Sequence, residues 1–135
     1  MFQLSKKVEY ALIALRHMAA GRRGEIFTVK EIAQKNNIPY DLLAKLMQLL
    51  VRKGLIESYQ GVHGGYRILR DPSTVTISLI IEAIEGKSSV KIVQCEATNP
   101  DDCIIHQSCT IKDPLMKLQG DINQVLATLT VTQLL

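Results

Sequence analysis

Between Thr28 and Gly65 the chain carries three local signals in a fixed order: a helix-opening capping box, an asparagine turn and a glycine-rich hairpin tip. Thr28-Val-Lys-Glu31 is the box. Thr28 stands at the N-cap and Glu31 three residues on, where each side chain satisfies the other's backbone N–H. It predicts a short helix through Ile32 and Ala33 to about Lys35. Asn36-Asn37 marks a turn, because Asn tolerates the left-handed conformation. Ile38-Pro39 leads into a third helix, with Pro39 near its start. Leu42, Leu43, Leu46, Leu49 and Leu50 line one face of that helix. Gly54 is placed as its C′ residue. Two β-like runs follow, 55–59 and 66–69, joined by Gln60-Gly-Val-His-Gly-Gly65 as a hairpin.

Upstream, Ser5 reads as the N-cap of an amphipathic helix over residues 6–20, ended by Gly21-Arg-Arg-Gly24. Downstream, Asp71-Pro72 breaks the chain. Ser78 or Thr76 caps a further helix, with Leu79, Ile80, Ala83 and Ile84 as its apolar face and Gly86 as its stop. From Asp113 to about Leu129 a last helical stripe holds Leu115, Met116, Leu118, Ile122, Val125, Leu126 and Leu129. The predicted fold is mainly α with a small β wing: a winged helix-turn-helix domain plus a long C-terminal dimerisation helix. The expected divisions are 1–86 for the DNA-binding domain, 87–112 for a cysteine loop, and 113–135 for the dimerisation helix and tail.

In a winged helix-turn-helix the third helix enters the major groove and the hairpin lies against the phosphates. Tyr40, Asp41, Lys45, Gln48 and Arg52 fall off the apolar stripe, and the first four are residue types that reach base edges or backbone. Arg52, Lys53, His63 and Arg67 are expected to hold phosphates, and Gly64 and Gly65 to let the wing approach the duplex closely. Thr28 completes the DNA-contacting set. Charge agrees with a polyanionic partner: residues 1–70 carry 12 Lys/Arg and 5 Asp/Glu, whereas 71–135 carry 4 and 8. The competing reading is a small helical domain with a solvated charged face.

Aromatic residues make up only 4% of the chain and there is no Trp, so the core must be aliphatic. No apolar stretch approaches bilayer length, and the first residues lack a signal-peptide apolar region, so a cytoplasmic protein without a membrane partner is expected. In that compartment thiols stay reduced. The three cysteines fall in one run, Cys95, Cys103 and Cys109. The first gap is too long for a zinc knuckle, whose paired ligands lie two to four residues apart. Three soft donors with a fourth position left open suit an iron–sulfur cluster with one unusual ligand. There is no C-x-x-C, no phosphate-binding glycine motif and no nucleophile–base pair, so an enzyme is not expected.

These motifs together resemble the Rrf-two family of bacterial transcription regulators. The resemblance is carried by Leu4-Ser5-Lys6-Lys7-Val8-Glu9-Tyr10-Ala11-Leu12, by Val29-Lys-Glu-Ile-Ala33 with Ile38-Pro39, and by Gly61-Val-His-Gly-Gly-Tyr66. Asp71-Pro72-Ser73 and Ala83-Ile-Glu-Gly86 extend it over nearly the whole chain. It implies a homodimer on a palindromic or pseudo-palindromic operator in double-stranded DNA. In cluster-binding members, three cysteines of this loop hold an iron–sulfur cluster whose state controls DNA affinity. That makes Cys95, Cys103 and Cys109 metal ligands, with a 4Fe–4S cluster ahead of 2Fe–2S. IscR-type members place a His three residues after the last cysteine, where this chain has Lys112. Glu9 aligns with the first-helix carboxylate of NsrR-like members and is the leading fourth ligand. His106 and an exogenous donor are the alternatives. The implied signal is nitric oxide, redox state or iron and cluster status. The alternative is a cluster-free winged-helix regulator working through redox thiols or through zinc, held by the three cysteines and His106.

Overall fold

The computed structural model describes residues 3–87 and 110–135. Cys95, Cys103, His106 and Cys109 lie outside the described residues. Helix α1 (Lys6–Ala19) is followed by α2 (Val29–Asn36), α3 (Tyr40–Arg52), β1 (Ile56–Tyr59), β2 (Gly65–Ile68), α4 (Ile77–Glu85) and α5 (Lys112–Thr128). Short 3-10 turns follow β2 at Pro72–Thr74 and close the chain at Val131–Leu134.

Each boundary has a local cause. The Ser5 side chain accepts from the Val8 N–H and opens α1. The capping box is present in full: Thr28 Oγ1 accepts from the Glu31 N–H at 3.1 Å, and Glu31 Oε2 accepts from the Thr28 N–H at 3.4 Å. Asn37 is left-handed, with φ 56°. It ends α2, and Ile38 N–H then bonds the Ala33 carbonyl at 3.0 Å. Gly54 takes φ 75° after α3, with Gly54 N–H on Val51 O and Leu55 N–H on Leu50 O. That pair of bonds is a Schellman motif, which a left-handed glycine makes possible. It also keeps Leu55 out of β1, which therefore starts at Ile56. Of the two candidate caps for α4, Thr76 is the one used, accepting from Leu79 N–H at 3.2 Å.

The core is aliphatic. Ala11, Ala14, Leu15 and Met18 of α1 meet Ile32 and Ala33 of α2, Leu43, Met47 and Leu50 of α3, and Ile80 of α4. On α3 the buried set is Leu43, Leu46, Met47 and Leu50, while Leu42 and Leu49 sit at its margins, half-buried. The stripe at i, i+3, i+4 and i+7 centres on Met47 rather than on the leucines alone. A smaller cluster of Val8, Ile77 and Ile81 receives Leu126, Leu129 and Leu134 from the end of the chain.

The sheet is larger than a hairpin by one residue. β1 and β2 pair antiparallel, with Glu57 opposite Arg67 and Tyr59 opposite Gly65. Phe27, just before α2, then bridges Tyr66 on the other edge of β2: Phe27 N–H to Tyr66 O at 2.8 Å and Tyr66 N–H to Phe27 O at 2.7 Å. After α5 the chain returns to the head. Thr130 bridges Thr76, Val131 N–H bonds Val75 O at 2.9 Å, and Arg16 Nε donates to Leu134 O at 2.8 Å.

Candidate nucleic-acid interface

Burying one side of α3 leaves Asp41, Lys45, Gln48 and Arg52 exposed at spacings of three and four residues, so they form one stripe. Tyr40 joins it at the start of the helix and is 55% exposed. These are side-chain types that can hydrogen-bond to base edges or backbone. Lys45 and Arg52 make no ion pair within the described residues, so both charges face solvent. Thr28, at the N-terminus of α2, uses its hydroxyl oxygen as a cap acceptor.

One contact joins α3 to the wing. Gln48 Nε2 donates to the Tyr66 hydroxyl at 2.7 Å. Tyr66 itself is half-buried against the core and fixed through its backbone to Phe27. A free Gln samples several rotamers; one tied at Nε2 keeps its second N–H and its carbonyl oxygen in a defined direction. Bidentate reading of adenine needs that pair of groups. Tyr66 and Phe27 were not among the residues the sequence singled out. A single bridged residue pair has no periodicity by which to find it.

The wing is stiffened from within. The Arg67 guanidinium pairs with Glu57 across the strands and stacks 4.9 Å from the Tyr59 ring centroid. The Tyr59 hydroxyl also donates to Glu57, and this bond, with Arg67 second, holds the Glu57 carboxyl below the usual carboxylate range. Of the cations expected to hold phosphates, Arg67 is therefore engaged inside the wing. Lys53 is tied to Glu82 of α4 at 2.8 Å. Arg52 and His63 remain outward. His63 and Val62 form the tip, with Val62 97% exposed. Gly64 and Gly65 serve close backbone approaches. A Cβ on Gly65 would collide with the Phe27 carbonyl, and one on Gly64 with the Tyr59 carbonyl.

The residues proposed for the metal fall partly inside the described chain. Glu9 lies in the first turn of α1 with 44% of its side chain exposed, paired to Lys6 at 2.9 Å. His17 is occupied elsewhere, within 3.1 Å of Asn36 and edge-on to Phe27.

We expect Tyr66→Phe to leave the fold intact and to weaken binding to an operator selected from random duplexes by roughly three- to tenfold, the worth of one hydrogen bond. The loss should concentrate at one base pair per half-site. Fluorescence anisotropy against single-position operator variants reads it. An unchanged specificity profile would remove Tyr66 from base reading.

No described helix is long and apolar enough to cross a membrane. The Rrf2 family model, described as an iron-dependent transcriptional regulator, matches residues 4–135. The regulator NsrR of Shouchella clausii is 29% identical over 98% of this chain and 87% of that protein. The transcriptional repressor NsrR of Streptomyces coelicolor is 30% identical over 98% of this chain and 87% of its own length. Among solved structures, CymR, the global cysteine regulator of B. subtilis, superposes with a TM-score of 0.77 at 27% identity, covering 99% of this chain and 96% of its own. These relatives are regulators, not enzymes. With a helix-turn-helix, a wing and a C-terminal helix in place, the chain belongs to the Rrf2 family of transcriptional regulators.

Proposed function

We propose that this protein is a homodimer that binds a palindromic operator, and that an iron–sulfur cluster held by Cys95, Cys103, Cys109 and Glu9 sets its affinity. The DNA half of the reading is carried by the stripe of Asp41, Lys45, Gln48 and Arg52 beside a wing anchored to the same helix. Dimerisation is supported by α5. Ile111, Leu115, Leu118, Ile122 and Val125 alternate at spacings of four and three, the seam of a helix pair. Leu118 and Val125 are 48% and 57% exposed in the single chain. Apolar side chains that repeat in this way belong against a partner helix.

The donor set suits a cluster. Three thiolates leave one position on a 4Fe–4S cluster, and Glu9 supplies a carboxylate near the chain surface. Its pair with Lys6 is solvent-exposed, of a kind that contributes little, and yields readily to a metal. A cluster with one oxygen ligand supplies a bond labile to nitric oxide or oxidants. The chain's own part is transmission. The Ser5 hydroxyl donates to Glu85 at 2.5 Å and so joins the start of α1 to the last turn of α4, just before the cysteine segment departs. Helix α1 packs on α3. Ordering the segment and Glu9 together would bias the position of α1, and with it the recognition helix.

Anaerobic native mass spectrometry with an absorbance spectrum tests this. A brown dimer carrying one cluster mass per subunit is expected, absent in Cys103→Ala. Loss of the cluster should change operator affinity at least about tenfold, a usual allosteric coupling. Equal affinity of loaded protein and Cys103→Ala would sink the sensing reading. A colourless zinc-loaded or metal-free dimer after reconstitution with iron and sulfide would point instead to the thiol or zinc regulator.

A further inference from the structure

At the root of the wing the Phe27–Tyr66 bridge gives out. Its antiparallel register, continued, would set Glu25 opposite Ile68 and Arg23 opposite Arg70. The bridge stays isolated, and between the two segments lies an open cleft of about 310 Å³. Met18, Ala19, Ile68, Leu69 and Pro72 give it apolar walls. Three arginines, Arg22, Arg23 and Arg70, and two acidic residues, Glu25 and Asp71, complete the lining.

Both carboxylates are held by neutral donors of their own loops, and the three arginines leave the lining with one net positive charge. Glu25 Oε1 accepts from the Arg22 N–H at 2.9 Å and closes the loop after α1. Asp71 Oδ1 accepts from the Ser73 N–H at 2.9 Å and from the Ser73 hydroxyl at 2.8 Å. Those two bonds, with Arg23 nearby, hold the Asp71 carboxyl below its usual range. Among the described residues, none of the three guanidiniums has a side-chain hydrogen bond or ion pair. Forked donors over an apolar wall, in a space at the lower end of small-ligand volumes, define a chemical class.

We propose that this cleft binds a small aliphatic carboxylate, with its head group between Arg23 and Arg70 and its hydrocarbon against Leu69 and Met18. The site is separate from the proposed cluster. Met18 lies nine residues along α1 from Glu9, about 14 Å at the helical rise. It is also the far end of the wing from its tip, so the arginines do not share the position of Val62 and His63. Occupancy has a route to the DNA face. The loop 21–25 runs through Ile26 into Phe27, and 68–72 leaves β2 directly. A ligand that clamps these segments fixes the Phe27–Tyr66 bridge and, through the Tyr66 hydroxyl, Gln48. This coupling rests on the regulator reading; binding itself does not.

Isothermal titration of the full chain with hexanoate, and with inorganic phosphate as a probe of charge alone, separates the possibilities. Saturable hexanoate binding with a Kd of about 1 mM or tighter is expected, and phosphate should bind at least about tenfold more weakly. The double variant Arg23→Gln with Arg70→Gln should weaken hexanoate at least about tenfold, the loss of two charge-assisted contacts. Leu69→Glu, a change at a half-exposed position that the fold tolerates, should abolish binding by placing a like charge on the wall. No saturable heat with hexanoate, or phosphate binding as tightly as hexanoate, overturns the proposal. So does a double variant that binds hexanoate normally but holds operator more weakly with a shallower salt dependence, since the arginines would then be phosphate contacts of the DNA.

Discussion

Gly65→Val is expected to destabilise the protein by about 3 kcal/mol and to lower operator affinity at least about tenfold, because it breaks a bridge that the fold uses twice. Gly65 sits at φ 154°, opposite Tyr59, and its α-carbon passes close to Phe27. A Cβ there would strike the Phe27 carbonyl oxygen and lie 3.0 Å from both the Phe27 carbonyl carbon and Ile26 Cγ2. The oxygen cannot retreat without loss, since it accepts the Tyr66 N–H at 2.7 Å. Moving Phe27 aside costs the two bridge bonds, about 1 kcal/mol each, plus backbone strain of similar size for a β-branched residue in an unfavourable conformation. The functional loss follows from the same displacement. Tyr66 loses its backbone anchor, Gln48 loses its fixed partner, and the wing no longer holds its angle to α3. Urea unfolding and anisotropy on the selected operator read the two effects. Gly120→Ala is the control. Gly120 lies inside α5, and outside that helix's own backbone no atom of the described residues comes within 4 Å of an added Cβ, so the change should stabilise by roughly 0.5–1 kcal/mol through helix propensity. A loss below about 1 kcal/mol for Gly65→Val would mean the bridge is dispensable.

Most of the head was legible because its signals are local. A capping box, a left-handed Asn, a C′ glycine and a glycine-tipped hairpin each state their own geometry within a few residues. Thr28, Asn37, Gly54 and the hairpin stand where those rules put them. What escaped depends on pairs far apart in the chain. The Phe27–Tyr66 bridge spans 39 residues with one residue on one side, too little for alternation to reveal. Lys53 and Arg67 read as free cations because nothing in the sequence places Glu82 or Glu57 beside them. Leucine identity misled on α3, where burial follows the position of Met47 and leaves Leu42 and Leu49 at the edge. The cysteine run lies outside the described residues, so its proposed cluster rests on residue type and spacing; Glu9, its proposed companion, stands on the surface of α1.

Val131→Asp is expected to cost about 3–4 kcal/mol and to detach α5 from the head, because it puts an unpaired charge where the end of the chain is stitched down. Val131 is 2% exposed and lies in the main core with Val75 and Ile80. On either side of it Ile77 N–H bonds Leu129 O at 3.0 Å, Thr130 bridges Thr76, and Arg16 Nε holds Leu134 O. The segment therefore joins α5, the proposed dimerisation helix, to α1, which carries Glu9, and to α4, which precedes the cysteine run in the sequence. Burial raises the pKa of an introduced carboxyl, because the charged form loses its water. The sign follows: the folded variant binds its proton more tightly than the unfolded one. Its deficit is smallest below the ordinary carboxylate range, near pH 4, and grows as pH rises through the raised value. Val131→Ala, which loses packing without adding charge, should cost less and show no such pH dependence. Urea unfolding at several pH values distinguishes the two variants. Hydrogen exchange separates global loss from local detachment: if only the tail opens, the amides of Ile77 and Val131 lose protection while those of α3 keep it. A variant with wild-type stability at neutral pH would show that residues 129–134 rest on the head without holding it. The route from α5 to α3 would then run through the packing of α5 on α4, where Leu126 meets Ile77 and Ile81.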